Sequence, residues 1–171
     1  MKRSRNRILF AIVIPMLFAA SQSLAAGTVG DRAPDFSATT LEGKALSLAE
    51  YRGKTPVYLV FWATWCPNCL REIPEINALQ QKFGDRMAIL SINVGINDSA
   101  EAAREYREEH GMKYPVVFDE GSRISSRYAI AGTPTQLLIG SDGVIRYRSA
   151  KTPAAADIEK HWSQLSAKSQ H

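Results

Sequence analysis

The sequence predicts an α/β domain: a mixed central sheet flanked by helices, preceded by a β-hairpin. Three observations carry this. Stretches of strand character alternate with stretches of helical character through the middle of the chain. Residues 57–62, Val-Tyr-Leu-Val-Phe-Trp, are apolar without alternation, as a strand buried on both faces requires. The chain then closes with a hairpin pattern and a helix pattern rather than another strand–helix unit.

Residues 1–25 stand apart from that domain. Lys2, Arg3, Arg5 and Arg7 form a positive start, and residues 8–20 are an apolar stretch of 13. Ser23-Leu24-Ala25 then supplies a small-x-small cleavage pattern. A bilayer-spanning helix needs roughly 20 apolar residues. The segment therefore reads as a cleaved export signal, with an uncleaved anchor as the alternative, and the location as periplasmic. No cysteine lies near the junction to carry a lipid. The full chain has 21 Lys+Arg against 17 Asp+Glu, and the four basic residues of the signal account for the excess. The remainder, 26–171, is formally neutral and gives no support to nucleic-acid binding. It has the length of one ordinary domain.

Within it, residues 35–40 and 45–48 read as short strands around the turn Glu42-Gly43-Lys44. After the strand 57–62, a helix is expected over 66–83, closed by Gly84 and kinked at Pro74, which lacks an N–H. Residues 87–94 form a second central strand. A helix over 99–110 has Ser99 as N-cap, Ala102, Ala103 and Tyr106 on one face, and Gly111 as stop. Residues 116–118 are a short strand and 122–128 a short helix. Strands 135–139 and 144–147 flank the turn signal Ser141-Asp142-Gly143. A single helix over 154–165 ends the pattern.

The chain has two cysteines, Cys66 and Cys69, in the run Trp65-Cys66-Pro67-Asn68-Cys69. Two thiols at this spacing can close a small disulfide where a helix begins. The first then lies at the helix N-terminus, where unpaired N–H groups and the helix dipole favour thiolate, the reactive form. A loop this short hardly constrains the unfolded chain, so stapling the fold is a poor account of it. Zinc needs four ligands, or three and water, and His110, His161 and His171 lie far off without paired spacing. Reversible thiol–disulfide exchange is the chemistry indicated. Cys66, the nucleophile, is expected to be the more exposed thiol, and Cys69 the buried one that resolves a mixed disulfide. Trp65 reads as part of an apolar rim and Trp62 as core. Pro67 suits the first turn of a helix, where its missing N–H costs nothing.

Together, the string 57–69, Pro74 and Gly132-Thr133-Pro134-Thr135 resemble the thioredoxin superfamily. The opening Val29-Gly30-Asp31-Arg32-Ala33-Pro34-Asp35-Phe36, with Leu48 and Arg52-Gly53-Lys54, is similar to its exported TlpA/ResA-like branch. The likeness runs from about residue 28 to 146. It implies a thioredoxin-like fold with an N-terminal β-hairpin extension. It implies that Pro67 and Asn68 tune the first thiol, and that Thr133–Pro134 is a cis bond whose loop faces the disulfide and offers the Thr133 backbone to a substrate. Relatives of the ResA kind carry an acid matching Glu72, one helical turn after Cys69, which could relay a proton; a solvated helix residue is the alternative. Where thioredoxin has a buried Asp, this chain has Val60. An aromatic residue often stands where this chain has Gln136, a difference read as packing detail.

The resemblance further implies a reductant of cysteine pairs in exported client proteins, with apo-cytochrome c or copper-site assembly factors as typical clients. A membrane thiol–disulfide electron donor would recharge it. Cytochrome c biogenesis relatives usually carry Glu where Thr135 stands. No cofactor is expected beyond the redox-active disulfide, no metal, and a monomer. Two other classes compete. A peroxiredoxin-like peroxidase shares the N-terminal hairpin but needs Thr and Pro where Ala63 and Leu59 stand. A soft-metal module would hold Cu(I) between two thiolates, but copper-delivery relatives space their cysteines one residue further apart.

Overall fold

The computed structural model describes residues 27–167; the export signal expected over 1–25 lies outside the described residues. Strands β1 (Ser37–Thr39) and β2 (Ala45–Ser47) form the N-terminal hairpin, antiparallel with Ser37 opposite Ser47. Gly43 in its turn has φ +81°, a conformation glycine adopts without strain. The hairpin is tied to the main sheet by a Thr40–Val117 bridge. Its approach is pinned by Phe36, edge-on to Tyr128 at 6.3 Å, and by the Tyr128 hydroxyl donating to Pro34 O at 2.7 Å.

The main sheet has five strands: β3 (Val57–Trp62), β4 (Ala88–Asn93), β5 (Val116–Phe118), β6 (Thr135–Ile139) and β7 (Ile145–Ser149). Their spatial order is β5-β4-β3-β6-β7. β3 runs parallel to β4 and antiparallel to β6, so it is the centre of a mixed sheet. All six of its residues are buried, as its unbroken apolar run requires.

Helix α1 (Pro67–Phe83) buries Cys69, Ile73, Ile76, Leu79 and Phe83, a stripe at helical spacing. Pro74 lies within it on the exposed side, where the backbone acceptor it leaves unpaired can be met by water. Helix α2 (Ala100–Glu109) starts at Ser99, whose hydroxyl accepts from Ala102 N at 3.0 Å. Helix α3 (Arg123–Arg127) is held by buried Asp119, which accepts from Ile124 N, Ser125 N and Ser125 Oγ.

The end of the chain departs from expectation. In place of one helix over 154–165 there are two, α4 (Ala155–Lys160) and α5 (Trp162–Leu165), separated at His161. Tertiary contacts explain the break. Trp162 stacks on Phe83 of α1 at 6.1 Å with Arg86 over its ring, and the Leu165 carbonyl accepts from Ser141 N at 2.8 Å. The second strand of the last hairpin also sits later than expected, at 145–149. Asp142 accepts from Val144 N inside the turn at 3.0 Å, and Val144 pairs instead with Arg32 as an isolated antiparallel bridge.

Candidate active site

The site forms where β3 ends and α1 begins. Leaving β3 at Trp62, the chain makes a tight turn in which Cys66 N donates to Ala63 O at 3.2 Å. Cys66 is the N-cap of α1, with Pro67 as its first residue. Its sulfur accepts from Cys69 N at 3.2 Å. One N–H at a helix start is thus directed at the Cys66 sulfur, an arrangement that would stabilise a thiolate on reduction. In this structure Cys66 and Cys69 are joined as a disulfide, Cα to Cα 5.3 Å.

The turn is clamped from outside by the loop after β4. Asp98 accepts from Thr64 N at 2.9 Å and Thr64 Oγ1 at 3.0 Å, and also from Asn93 Nδ2 at 2.8 Å. The Trp65 indole donates to Ile96 O at 2.7 Å. Gly95 lets that loop pass close to its neighbour: with φ +70°, a Cβ there would meet Asp119 O at 2.3 Å. Trp65 is 51% exposed, and with Ile96 and Leu70, also exposed, it makes the expected apolar rim. Trp62 is buried in the core, 5.3 Å from the Tyr106 ring.

The exposure expected of the cysteines is corrected. Cys66 is 3% exposed and Cys69 5%, so neither thiol is the open one. Cys66 is folded into the turn and bonded to Cys69, so each sulfur covers the other. Pro67 and Asn68 are exposed, and Asn68 Oδ1 accepts from the Arg71 guanidinium.

The Thr133–Pro134 peptide bond is cis. Thr135, the next residue, pairs with Phe61 across β3 and β6. That register brings Pro134 to the end of β3 from which the Cys66 turn departs. Pro134, Cys69, Glu72, Val60 and Tyr114 line one small cavity of about 10 Å³, room for about one water. The structure thus brings Cys66, Cys69, Glu72, Trp65 and the 133–134 loop to one place.

Glu72 is half-buried on the wall of that cavity. Burial holds its carboxyl above the usual range, a nearby Glu75 adds to the rise, and the Thr152 N–H and Arg71 oppose it. Its Oε1 accepts from Thr152 N at 3.3 Å and its Oε2 from Gln136 Nε2. Neither Gln136 nor Thr152 stood out as a site residue in the sequence. The signal was available at Gln136: a polar side chain inside the apolar strand Thr-Gln-Leu-Leu-Ile must find a partner when buried. Tyr58 and Tyr114 complete the surroundings, and burial raises both phenols. Among the described residues no group of three or more His, Cys, Asp or Glu could hold a metal ion.

Known proteins match this chain across the same region. The model described as the AhpC/TSA family matches residues 29–148. The thiol-disulfide oxidoreductase ResA of Bacillus thuringiensis (strain Al Hakam) is 32% identical over 151 residues, covering 82% of this chain and 86% of that protein. ResA of Geobacillus kaustophilus (strain HTA426) is 35% identical over 138 residues, covering 80% and 78%. Among solved structures, a thiol-disulfide oxidoreductase from Bacteroides fragilis superposes with a TM-score of 0.67 at 27% identity, covering 77% of this chain and 99% of that one.

The raised Glu72 carboxyl gives a stability prediction with a definite sign. The folded chain holds this proton more tightly than the unfolded chain, whose value is about 4.5. The favourable contribution is complete below that pH and is lost as pH rises through the higher folded value. Glu72→Gln, which cannot ionise, should therefore gain stability relative to wild type from about pH 4 to pH 8. Urea denaturation of both proteins across that range measures the gap; a gap independent of pH would contradict the burial argument.

Proposed function

The chain belongs to the AhpC/TSA family and is a thiol–disulfide oxidoreductase with a Cys66–Cys69 pair, and we propose that it acts in the periplasm as a reductant of cysteine pairs in exported client proteins. The observation that carries the reading is the placement of Cys66 at the N-cap of α1 with Cys69 N–H on its sulfur. Reduced Cys66 attacks one sulfur of a client disulfide as the thiolate. A mixed disulfide forms, and the first client thiolate leaves and takes up a proton. Cys69 loses its proton and attacks the Cys66 sulfur. The Cys66–Cys69 bond closes, and the second client thiolate leaves. Two electrons pass from the pair to the client, and a membrane thiol–disulfide donor returns them.

Several residues take roles around that step. Trp65 offers apolar surface beside the sulfurs, the Thr133 backbone offers an edge to an extended client segment, and Pro134 walls the cavity behind Cys69. Pro67 and Asn68 set which groups face the first sulfur. Glu72 receives the proton that Cys69 gives up, with room in the cavity for one water between them. The export signal over 1–25 is cleaved, leaving 26–171 as the working domain. Apo-cytochrome c or a copper-site assembly factor is the class of client, and the domain works as a monomer.

The peroxidase alternative finds little support at the site. Leu59 and Ala63, where that chemistry needs Pro and Thr, are fully buried apolar residues with nothing to offer a peroxide. A soft-metal role would use the reduced pair alone, and anaerobic Cu(I) titration separates it from exchange.

Replacing Cys69 with Ala should trap clients on Cys66 as mixed disulfides, visible as slower bands on non-reducing gels. Replacing Cys66 with Ala should trap none. Exchange activity persisting in both single variants would show the assigned roles to be wrong. For the proton, Glu72→Gln should shift the pH dependence of exchange between about pH 5 and 9, a range spanning a raised carboxyl and the thiol. Superimposable profiles would return the proton to water.

A further inference from the structure

Gln136 is fully buried in β6, paired with Val60 of β3, and its three following neighbours, Leu137, Leu138 and Ile139, are buried and apolar. A residue there for packing alone would be apolar too. Its amide nitrogen instead donates both hydrogens, one to Glu72 Oε2 and one to Thr152 Oγ1 at 3.2 Å. Its Oε1 is buried and has no hydrogen-bond partner among the described residues. An unpaired buried oxygen carries a desolvation cost, so the contact with Glu72 is held against a penalty.

We propose that Gln136 is the positioning residue for Glu72: its amide holds the carboxylate at the cavity beside Cys69 and, by turning over, accepts from the same group once it is protonated. This deepens the proton-acceptor reading of Glu72 and rests on it. An ionised carboxylate can only accept, and it receives from Gln136 Nε2 and Thr152 N. A protonated carboxyl has one O–H to donate. A half-turn of the Gln136 amide exchanges its nitrogen and oxygen and places Oε1 at that O–H. The Thr152 hydroxyl serves both states, because it accepts from Nε2 in one and donates to Oε1 in the other. Glu72 therefore has a partner before and after it takes a proton, and its carboxyl stays on the cavity wall.

Other titratable groups also face Glu72, and Glu75 is coupled to it by charge. Glu75 and Arg71 flank it along α1. Tyr58 from β3 and Tyr114 from the stretch before β5 face it, with Tyr147 of β7 beyond Tyr58, and burial raises Tyr58 and Tyr114 so that both stay neutral near pH 7. In the oxidised protein the two cysteines do not titrate.

The test is carbon NMR of the Glu72 carboxyl in the oxidised protein, its signal assigned by its loss in Glu72→Gln. Gln136→Leu removes a bond from both states, but the charge-assisted one to the ionised form is the stronger, so the Glu72 midpoint should rise, by about one pKa unit. In wild type, the Gln136 side-chain amide signal should titrate with the Glu72 midpoint and stop titrating in Glu72→Gln. An unmoved Glu72 midpoint in folded Gln136→Leu, or a flat Gln136 amide signal, overturns the proposal; the wild-type amide titration decides it even if Gln136→Leu does not fold. The exchange pH profile separates the two readings. A Glu72 midpoint that moves while the exchange profile stays put supports Gln136's hold on Glu72 and overturns Glu72 as proton acceptor.

Discussion

The site depends on one junction, the turn that carries a fully buried central strand into the N-terminus of a long helix. β3 cannot shift, because every residue in it is buried and it is paired on both sides. α1 cannot shift, because Cys69, Ile73, Ile76, Leu79 and Phe83 all face the core. The few residues between them have little freedom, and Asp98 removes most of what is left by taking both the N–H and the hydroxyl of Thr64. Cys66 falls at the N-cap as a consequence. There the sulfur accepts the Cys69 N–H, which it shares with the Cys66 carbonyl. The same feature that starts the helix is the one that would stabilise the thiolate.

Behind this sits a second constraint of opposite character. Val60 contributes no acid to the cavity beside Cys69; among the described residues that line it, the one carboxylate is Glu72, one turn along α1. Burial disfavours that charge, while Thr152 N and the Gln136 amide offset part of the cost. A group with its pKa raised by burial and its geometry held by neighbours is suited to exchange a proton. The oxidised pair, the small cavity and the half-buried acid thus form one unit, with the apolar rim of Trp65, Leu70 and Ile96 on its outer side.

Much of this was readable from the chain because local and tertiary preferences agree. The apolar run 57–62, Pro67 after Cys66 and Ser99 before α2 each point to the element they form. The misses fall where tertiary contact outweighs local pattern. Helical character runs without interruption over 154–165, yet the stacking of Trp162 on Phe83 breaks it at His161. Cys66 reads as the exposed thiol from its place at the strand end, but the clamped turn buries it. Gln136 looks like a packing substitution because its partners, Glu72 and Thr152, are 64 and 16 residues away. No periodicity reports such a contact; only the rule that a buried amide must be paired could have flagged it.

The proposal at the centre is that Cys66 and Cys69 form one reversible couple that gives electrons to clients. The most direct measurement is equilibration of the domain in a series of glutathione or dithiothreitol buffers, with the thiols counted after alkylation. The account predicts a single two-electron transition, about 30 mV per tenfold change in ratio, with a midpoint more reducing than about −200 mV. A pair that does not exchange with the buffer, or a midpoint near the roughly −120 mV of a strong oxidant, would contradict it.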